Sequence, residues 1–357
     1  MSGNYAKPSL PWTVRLSIAL FSTITDASRR ADGTINRRLL SFFHLRAAPN
    51  PIPQRGVHTH DLTVDPNRNL WIRLFLPTAD IRHHHLPLVI FFHGGGFANL
   101  SADNRSYDLL CRRLACKIPA VIVSVNYRLS PEHRHPAPYE DGADVLHFID
   151  SGGIHTAAGH LSDPSSCFLA GDSAGANIVH HVARRWAAAA SVGGFKKLKL
   201  LGIVQIQPFY GGEERTESEI RLDGAPIIST TGTDWLWRAF LPEGEDRDHE
   251  AVNVLGPKDG AEIEEKFPPA MVVVGGFDPL KDWQRLYCER LRARGKEVTV
   301  LEFPEAFHSF YMFPRIAESG KLFEEIGKFV WSKCEPVLTA AIEMTGAEQE
   351  VVVTQTR

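Results

Sequence analysis

The sequence predicts an α/β fold: a mostly parallel central sheet, helices on both of its faces, and a helical cap at the N-terminus. Three observations carry that prediction. Uninterrupted apolar runs such as Leu86 to Phe92 and Val121 to Val125 suit strands buried on both faces. Segments of helical period alternate with them, the order of a parallel sheet built from crossover units. From residue 86 onward, several strands end in loops rich in Gly, Asp, Ser or His, where open parallel sheets carry their ligands.

Residues 1–55 stand apart as a cap or lid. Val14, Ile18, Phe21 and Ile24 recur at roughly helical spacing and predict an amphipathic helix from about Trp12 to Arg29, broken by Ala31-Asp32-Gly33. A second short helix over Asn36 to Phe43 stops before Pro51 and Pro53. The apolar side of such helices must be buried, so the segment is expected to lie over the body of the protein.

The core spans 56–338. Leu70 to Leu76 alternates, with Leu70, Ile72, Leu74 and Leu76 on one face, and reads as a half-buried edge-type strand. After strand 86–92 come a helix over Tyr107 to Cys116, strand 121–125 and a helix over Tyr139 to Ile149. Strand Cys167 to Ala170, a helix over Asn177 to Ala190 and strand Leu201 to Ile206 follow. The stretch 209–267, with Trp235, Trp237 and Phe240, is too long for an ordinary crossover and reads as a cap insertion over the site. Strand Met271 to Val274, a helix over Trp283 to Arg294, strand Val298 to Phe303 and a helix over Ala317 to Cys334 complete the core. Residues 339–357 are polar apart from Val351 to Val353 and read as a disordered tail.

Among 357 residues, 43% are hydrophobic and the formal net charge is −3, which gives no reason to expect nucleic acid. The basic clusters Arg112-Arg113, Arg184-Arg185 and Lys196-Lys197-Lys199 are short and dispersed, and read as solvated helix faces and loop ends. Five cysteines without a CxxC pair predict a reducing compartment and no disulfide framework. His83-His84-His85, beside a proline, reads as a surface tract, and no metal-ligand spacing is present. The apolar run Leu16 to Phe21 is too short to span a bilayer and lacks a signal-peptide cleavage pattern. A cytoplasmic location is expected, with the nucleus as a further possibility. No membrane contact, no metal and no cofactor is expected.

The chemistry centres on Gly171-Asp172-Ser173-Ala174-Gly175. An apolar strand, a lone serine between small residues and then a helix make the spacing of a nucleophile elbow. A serine hydroxyl is a weak nucleophile and must stand clear of the backbone where a base can reach it. By itself the motif also fits a glycine-containing loop. Its neighbours at other strand ends decide the matter. After strand 86–92 comes His93-Gly94-Gly95-Gly96-Phe97, whose backbone N–H groups can meet a developing oxyanion. After strand 271–274 comes Asp278 between glycines and a proline, with Asp282 as the competing acid and a helix cap as the bland alternative. After strand 298–303 comes His308 between Phe307 and Ser309. The order Ser, Asp, His is that of an α/β-hydrolase.

Taken together, His93 to Gly96, Gly171 to Asn177, Asn126 to His133 and Phe277 to Leu280 resemble the plant carboxylesterases of the hormone-sensitive-lipase-like group. The resemblance runs from about residue 12 to 335. It implies Ser173 as nucleophile, His308 as base and Asp278 as the acid orienting it, with Gly95, Gly96 and Ala174 as oxyanion donors. The stretch Asn126 to His133 is expected to structure the loop under the site. Arg29 to Arg37 and Leu241 to His249 resemble a sister branch, the gibberellin receptors, in which the N-terminal segment is a hormone-induced lid. Three departures favour an enzyme. His308 is present where the receptors lack it, Gly232-Thr233 replaces an Asp-Arg pair, and Ser22 and Thr25 replace the lid's lysine and tyrosine.

The expected activity is hydrolysis of small to medium, moderately hydrophobic carboxylic esters. The alternatives are a receptor-like hormone binder or a hydrolase of butenolide hormones such as strigolactones. The substrate wall is expected to include Phe21, Ile24, Phe97, Asp172, Tyr210, Trp235 and Phe307, with Phe307 narrowing the acyl pocket. A small-molecule ester is the expected partner; a protein partner is not expected.

Overall fold

A computed structural model describes residues 8–78, 86–159, 161–259 and 262–354, with side chains in the last helix to 336. The tract His83-His84-His85 lies outside the described residues. Eight strands form one sheet in the order β1 (Val57–Asp65), β2 (Leu70–Pro77), β4 (Val121–Asn126), β3 (Leu86–Phe92), β5 (Ser162–Asp172), β6 (Leu200–Ile206), β7 (Ala270–Phe277) and β8 (Val298–Phe307). The β1–β2 and β2–β4 pairs are antiparallel, and all others are parallel.

The apolar runs behave as their composition demands. Leu88, Ile90 and Phe92 of β3 pack into one core while Val89 and Phe91 pack into the other, so no position is left for water. Helices α4 (Ala137–Asp150), α6 (Ala174–Ser191) and α9 (Lys281–Ala293) contribute to the first core. Helices α3 (Arg105–Lys117) and α10 (Ala317–Thr354) contribute to the second. Short α5 (His155–Ala158) precedes β5, and α7 (Glu217–Arg221) and α8 (Thr230–Phe240) lie within the insertion.

The edge strand differs from expectation. β1 is the edge and β2 lies inside it, buried on both faces. On its second face β2 carries Arg73, only 1% exposed, with Asp61 of β1 accepting two hydrogen bonds from its guanidinium at 2.6 and 2.8 Å. Likewise Arg112 is not a solvated charge: it is buried, and its Nε donates to Asp108 at 2.8 Å. The final helix runs on through Pro336 to Thr354, where a disordered tail from 339 is the sequence expectation. Ala, Glu, Met and Gln, which favour helix, make up half of residues 339–354. All five cysteines are free.

The N-terminal helices α1 (Trp12–Ser28) and α2 (Arg37–Phe43) are tied down at their junction. Trp235 Nε1 of α8 donates to the Arg30 carbonyl at 3.2 Å, with the Arg29 guanidinium over the indole ring. Arg37 donates to the Ser130 carbonyl at 2.6 Å and pairs with Glu132. Val14 and Ile18 are the buried apolar residues of α1, while Trp12, Leu16 and Leu20 point outward.

Burial also sets an acid limit on the fold. It lowers the His93 imidazole to about 4, and His180 and His181 well below their ordinary value, because a buried ring loses more by charging than a hydrated one. Unfolded histidine titrates near ~6.5, so their contribution is complete above that pH and is lost as pH falls toward 4. His93 alone would account for about 3 kcal/mol at the acid limit. Asp172 acts in the opposite sense: burial raises its carboxyl to about 6, so acid relieves it. Burial also lowers His135, to about 4, and His44, so one carboxyl is outweighed by five imidazoles. The melting temperature is therefore expected to fall steeply between pH 6.5 and 4; a flat or rising profile in that window would contradict it.

Candidate active site

Ser173 carries a whole chain reversal by itself, between the end of β5 at Asp172 and the start of α6 at Ala174. Its φ of +52° and ψ of −118° are strained for a residue with a side chain. The neighbours make the turn possible. A Cβ on Gly171 would stand 2.5 Å from the Gly175 carbonyl, and one on Gly175 would stand 2.0 Å from the Phe92 oxygen. The Ser173 N–H donates to the Ile206 carbonyl at 2.9 Å, which pins the turn to β6.

His308 lies just after β8. Its Nε2 is 3.0 Å from Ser173 Oγ, and its Nδ1 is 2.9 Å from Asp278 Oδ2. A carboxylate can only accept, so this arrangement puts the ring proton on Nδ1 and leaves Nε2 free to take the hydroxyl hydrogen. Asp278 is fixed in turn: its Oδ1 accepts from the Leu280 N–H at 2.9 Å and its Oδ2 from Gln284 Nε2 at 3.0 Å. All three side chains are buried. The competing acid, Asp282, instead accepts from the Ser218 N–H at 2.8 Å.

The glycine loop after β3 closes over the serine. Gly95 has φ +113°, and a Cβ there would meet the Asn99 oxygen at 2.2 Å, so the loop cannot carry a side chain at that position. Gly95 and Gly96 line the same cavity as Ser173, while Ala174 is the first residue of α6, whose N-terminus favours negative charge. Asp172 anchors the loop. Its Oδ1 accepts from the Gly94 N–H at 2.9 Å, and its Oδ2 accepts from the hydroxyls of Tyr107 at 2.8 Å and Tyr311 at 2.7 Å. Tyr127 stacks on the His93 ring and donates to the His93 carbonyl at 2.7 Å. The Asn126–His133 stretch lies under the glycine loop, with the Ser130 N–H donating to the Phe97 carbonyl at 2.9 Å.

Above the serine is a cavity of about 1230 Å³, roofed by α1 and α2. Of the expected wall residues, Phe21, Ile24 and Asp172 line it; the other four do not. Phe97 stacks on Phe240 at 3.8 Å between ring centres and knits the glycine loop to α8. Tyr210 turns behind the site, accepting from Gln205 Nε2 at 2.6 Å. Trp235 faces Arg29 and Arg30 instead of the cavity. Phe307 packs on Phe313 in the α3–α10 core, so it does not narrow an acyl pocket. Further apolar side chains line it, among them Ile18, Leu40, Leu236, Met312 and Phe313, none of which the sequence reading singles out as wall. Leu236 follows Trp235 by one residue on α8, so a helical rotation of about 100° separates the residue that clamps the cap from the one that meets Gly96.

Comparison with known proteins agrees with this fold. Residues 89–312 match the family described as alpha/beta hydrolase fold. The chain is 39% identical over 342 residues to a gibberellin receptor of Arabidopsis thaliana, GID1C, covering 92% of this chain and 97% of that one. It is 37% identical over 277 residues to carboxylesterase 20 of the same plant, covering 75% of this chain and 83% of that one. It also resembles the solved structure of a hyperthermophilic esterase from the archaeon Pyrobaculum calidifontis. The TM-score there is 0.70 at 25% identity, covering 91% of this chain and 98% of that one.

Proposed function

The chain belongs to the α/β-hydrolase fold family, and on that premise we propose that it is a serine carboxylesterase for small to medium, moderately hydrophobic esters. The observation that carries the proposal is the continuous Asp278–His308–Ser173 chain, at 2.9 and 3.0 Å. Ser173 Oγ attacks the ester carbonyl as its proton passes to His308 Nε2. The oxyanion is taken by the N–H groups of Gly95, Gly96 and Ala174. His308 then protonates the departing alcohol, and water attacks the acyl-enzyme by the same route. Asp278 stays ionised and holds the imidazole. Every step uses only side chains and backbone of this chain, the substrate and water.

A hydrophobic substrate follows from the wall of Ile18, Phe21, Ile24, Leu40 and Leu236 over the serine. Turnover of p-nitrophenyl esters is expected to rise from acetyl to medium acyl lengths and then fall as the acyl chain outgrows the apolar wall.

A second reading is favoured by the identity to the gibberellin receptor and by α1 and α2 forming part of the cavity wall: a hormone binder whose cap closes on its ligand. Hydrolysis of a butenolide hormone is a variant of the first. Hydrogen exchange over residues 12–43 separates the readings. Strong protection without ligand, with turnover across the ester panel, supports the esterase. Protection appearing only with gibberellin, and no turnover, would replace it with the receptor.

A further inference from the structure

The three residues that follow β6, Gln207-Pro208-Phe209, bond to Ser173 directly and to the surroundings of Asp278 and His308 through their neighbours. The Phe209 N–H donates to the Ser173 carbonyl at 3.0 Å. The Pro208 carbonyl accepts from Gln284 Nε2 at 3.4 Å, the same amide that donates to Asp278 Oδ2. Gln207 reaches the histidine. Its Oε1 accepts from the Ser309 N–H at 2.8 Å, and its Nε2 donates to the Phe307 carbonyl at 3.2 Å. One side chain thus grips the peptide groups on both sides of His308.

Three further facts set Gln207 apart from ordinary packing. It is fully buried. Its backbone stands at φ +47°, a conformation that Gly or Asn adopts more cheaply, yet Gly has no side chain and Asn is one methylene short of the span. Room for its amide is kept by Gly275 on the neighbouring strand, where a Cβ would stand 2.4 Å from Gln207 Nε2.

We propose that Gln207 is the positioning residue of the catalytic histidine, clamping the 307–309 backbone so that Nε2 stays in reach first of Ser173 Oγ and then of the leaving alcohol. The inference rests on the triad assignment above. His308 needs such a clamp because it lies where β8 ends: the sheet pairs Phe307 with Phe277 and goes no further, and the next residue, Ser309, turns at φ +66°. The side chain must offer one acceptor and one donor at opposite ends of a planar group, which among uncharged side chains of this length means glutamine.

Gln207→Met keeps the volume and removes both bonds. It is expected to lower kcat by about 10–100-fold with KM within about 3-fold, the effect of a base displaced by a fraction of an ångström. Gln207→Glu supplies the second readout. A protonated carboxylic acid can accept from Ser309 N–H and donate to the Phe307 carbonyl, whereas the ionised form cannot donate and faces a carbonyl oxygen. The ratio of Gln207→Glu to wild-type kcat should therefore fall as pH rises through the new carboxyl's titration. The ratio for Gln207→Met should be flat. If Gln207→Met does not fold, as a melting curve would show, the Gln207→Glu profile carries the test alone. A Ser173-dependent esterase in which Gln207→Met turns over within 3-fold of wild type, or in which the Gln207→Glu ratio ignores pH, overturns this inference alone. Wild-type turnover that survives Ser173→Ala overturns the triad and this inference with it.

Discussion

Ser173→Ala and His308→Ala are each expected to lower kcat by about 10⁴–10⁶-fold while leaving KM within a few-fold. The size follows from the two residues acting as one unit. Without Oγ there is no acyl-enzyme, and without Nε2 the hydroxyl 3.0 Å away stays protonated and unreactive at neutral pH. What remains is the oxyanion loop and the cavity, which still bind and polarise the ester. Binding survives because the apolar wall comes from α1, α2, α8 and the 309–313 turn, which neither substitution touches. The double variant should be no worse than either single one. Steady-state kinetics on a p-nitrophenyl ester decide the matter, and turnover within about tenfold of wild type in either variant would remove the assignment.

Asp278→Asn is expected to cost about 10³–10⁴-fold in kcat, and Asp282→Asn no more than a few-fold. These acids stand four positions apart, and both precede or open α9. Geometry distinguishes them. Asp278 is fully buried with Oδ2 at 2.9 Å from His308 Nδ1, so an amide there presents an N–H to the ring and favours the tautomer with the proton on Nε2, facing the serine. Asp282 bonds to the backbone of α7 and never meets the imidazole. Gln284 Nε2 donates to the same Oδ2 that meets the ring, so an amide nitrogen placed there also faces Gln284; circular dichroism should stay close to wild type while the melting temperature falls modestly. A crippled Asp282→Asn beside an active Asp278→Asn would mean that the acid has been chosen wrongly.

Tertiary structure corrected the sequence reading where long-range partners decide burial. Arg73 makes β2 look half exposed, because a charged residue alternates with leucines. Its partner Asp61 lies on β1, a strand whose His-Thr-His-Asp composition gives no apolar signal of its own. With the ion pair formed, β2 is interior and β1 is the edge. The aromatic residues tell the same story. Phe97, Tyr210, Trp235 and Phe307 all neighbour site residues in sequence, yet each turns to the core or to the cap. Which way such a ring faces depends on the register of one strand or the rotation of one helix, and neither can be read from the residues alone.

What the sequence by itself determined is the strand–turn–helix around Ser173, the alternation that makes a parallel sheet, and the order Ser, Asp, His at its strand ends. These depend on neighbours a few residues apart: glycines that leave room for a turn, apolar runs that must be buried, a strand end that opens a loop. Only the tertiary structure decided that Asp278 and not Asp282 meets the imidazole, and that Leu236 and Phe313 wall the cavity. It also decided that Gln207 holds a loop about a hundred residues further along the chain. The physical reason is that hydrogen bonds and packing act over a few ångströms of space, and sheet order sets which distant segments come within that reach.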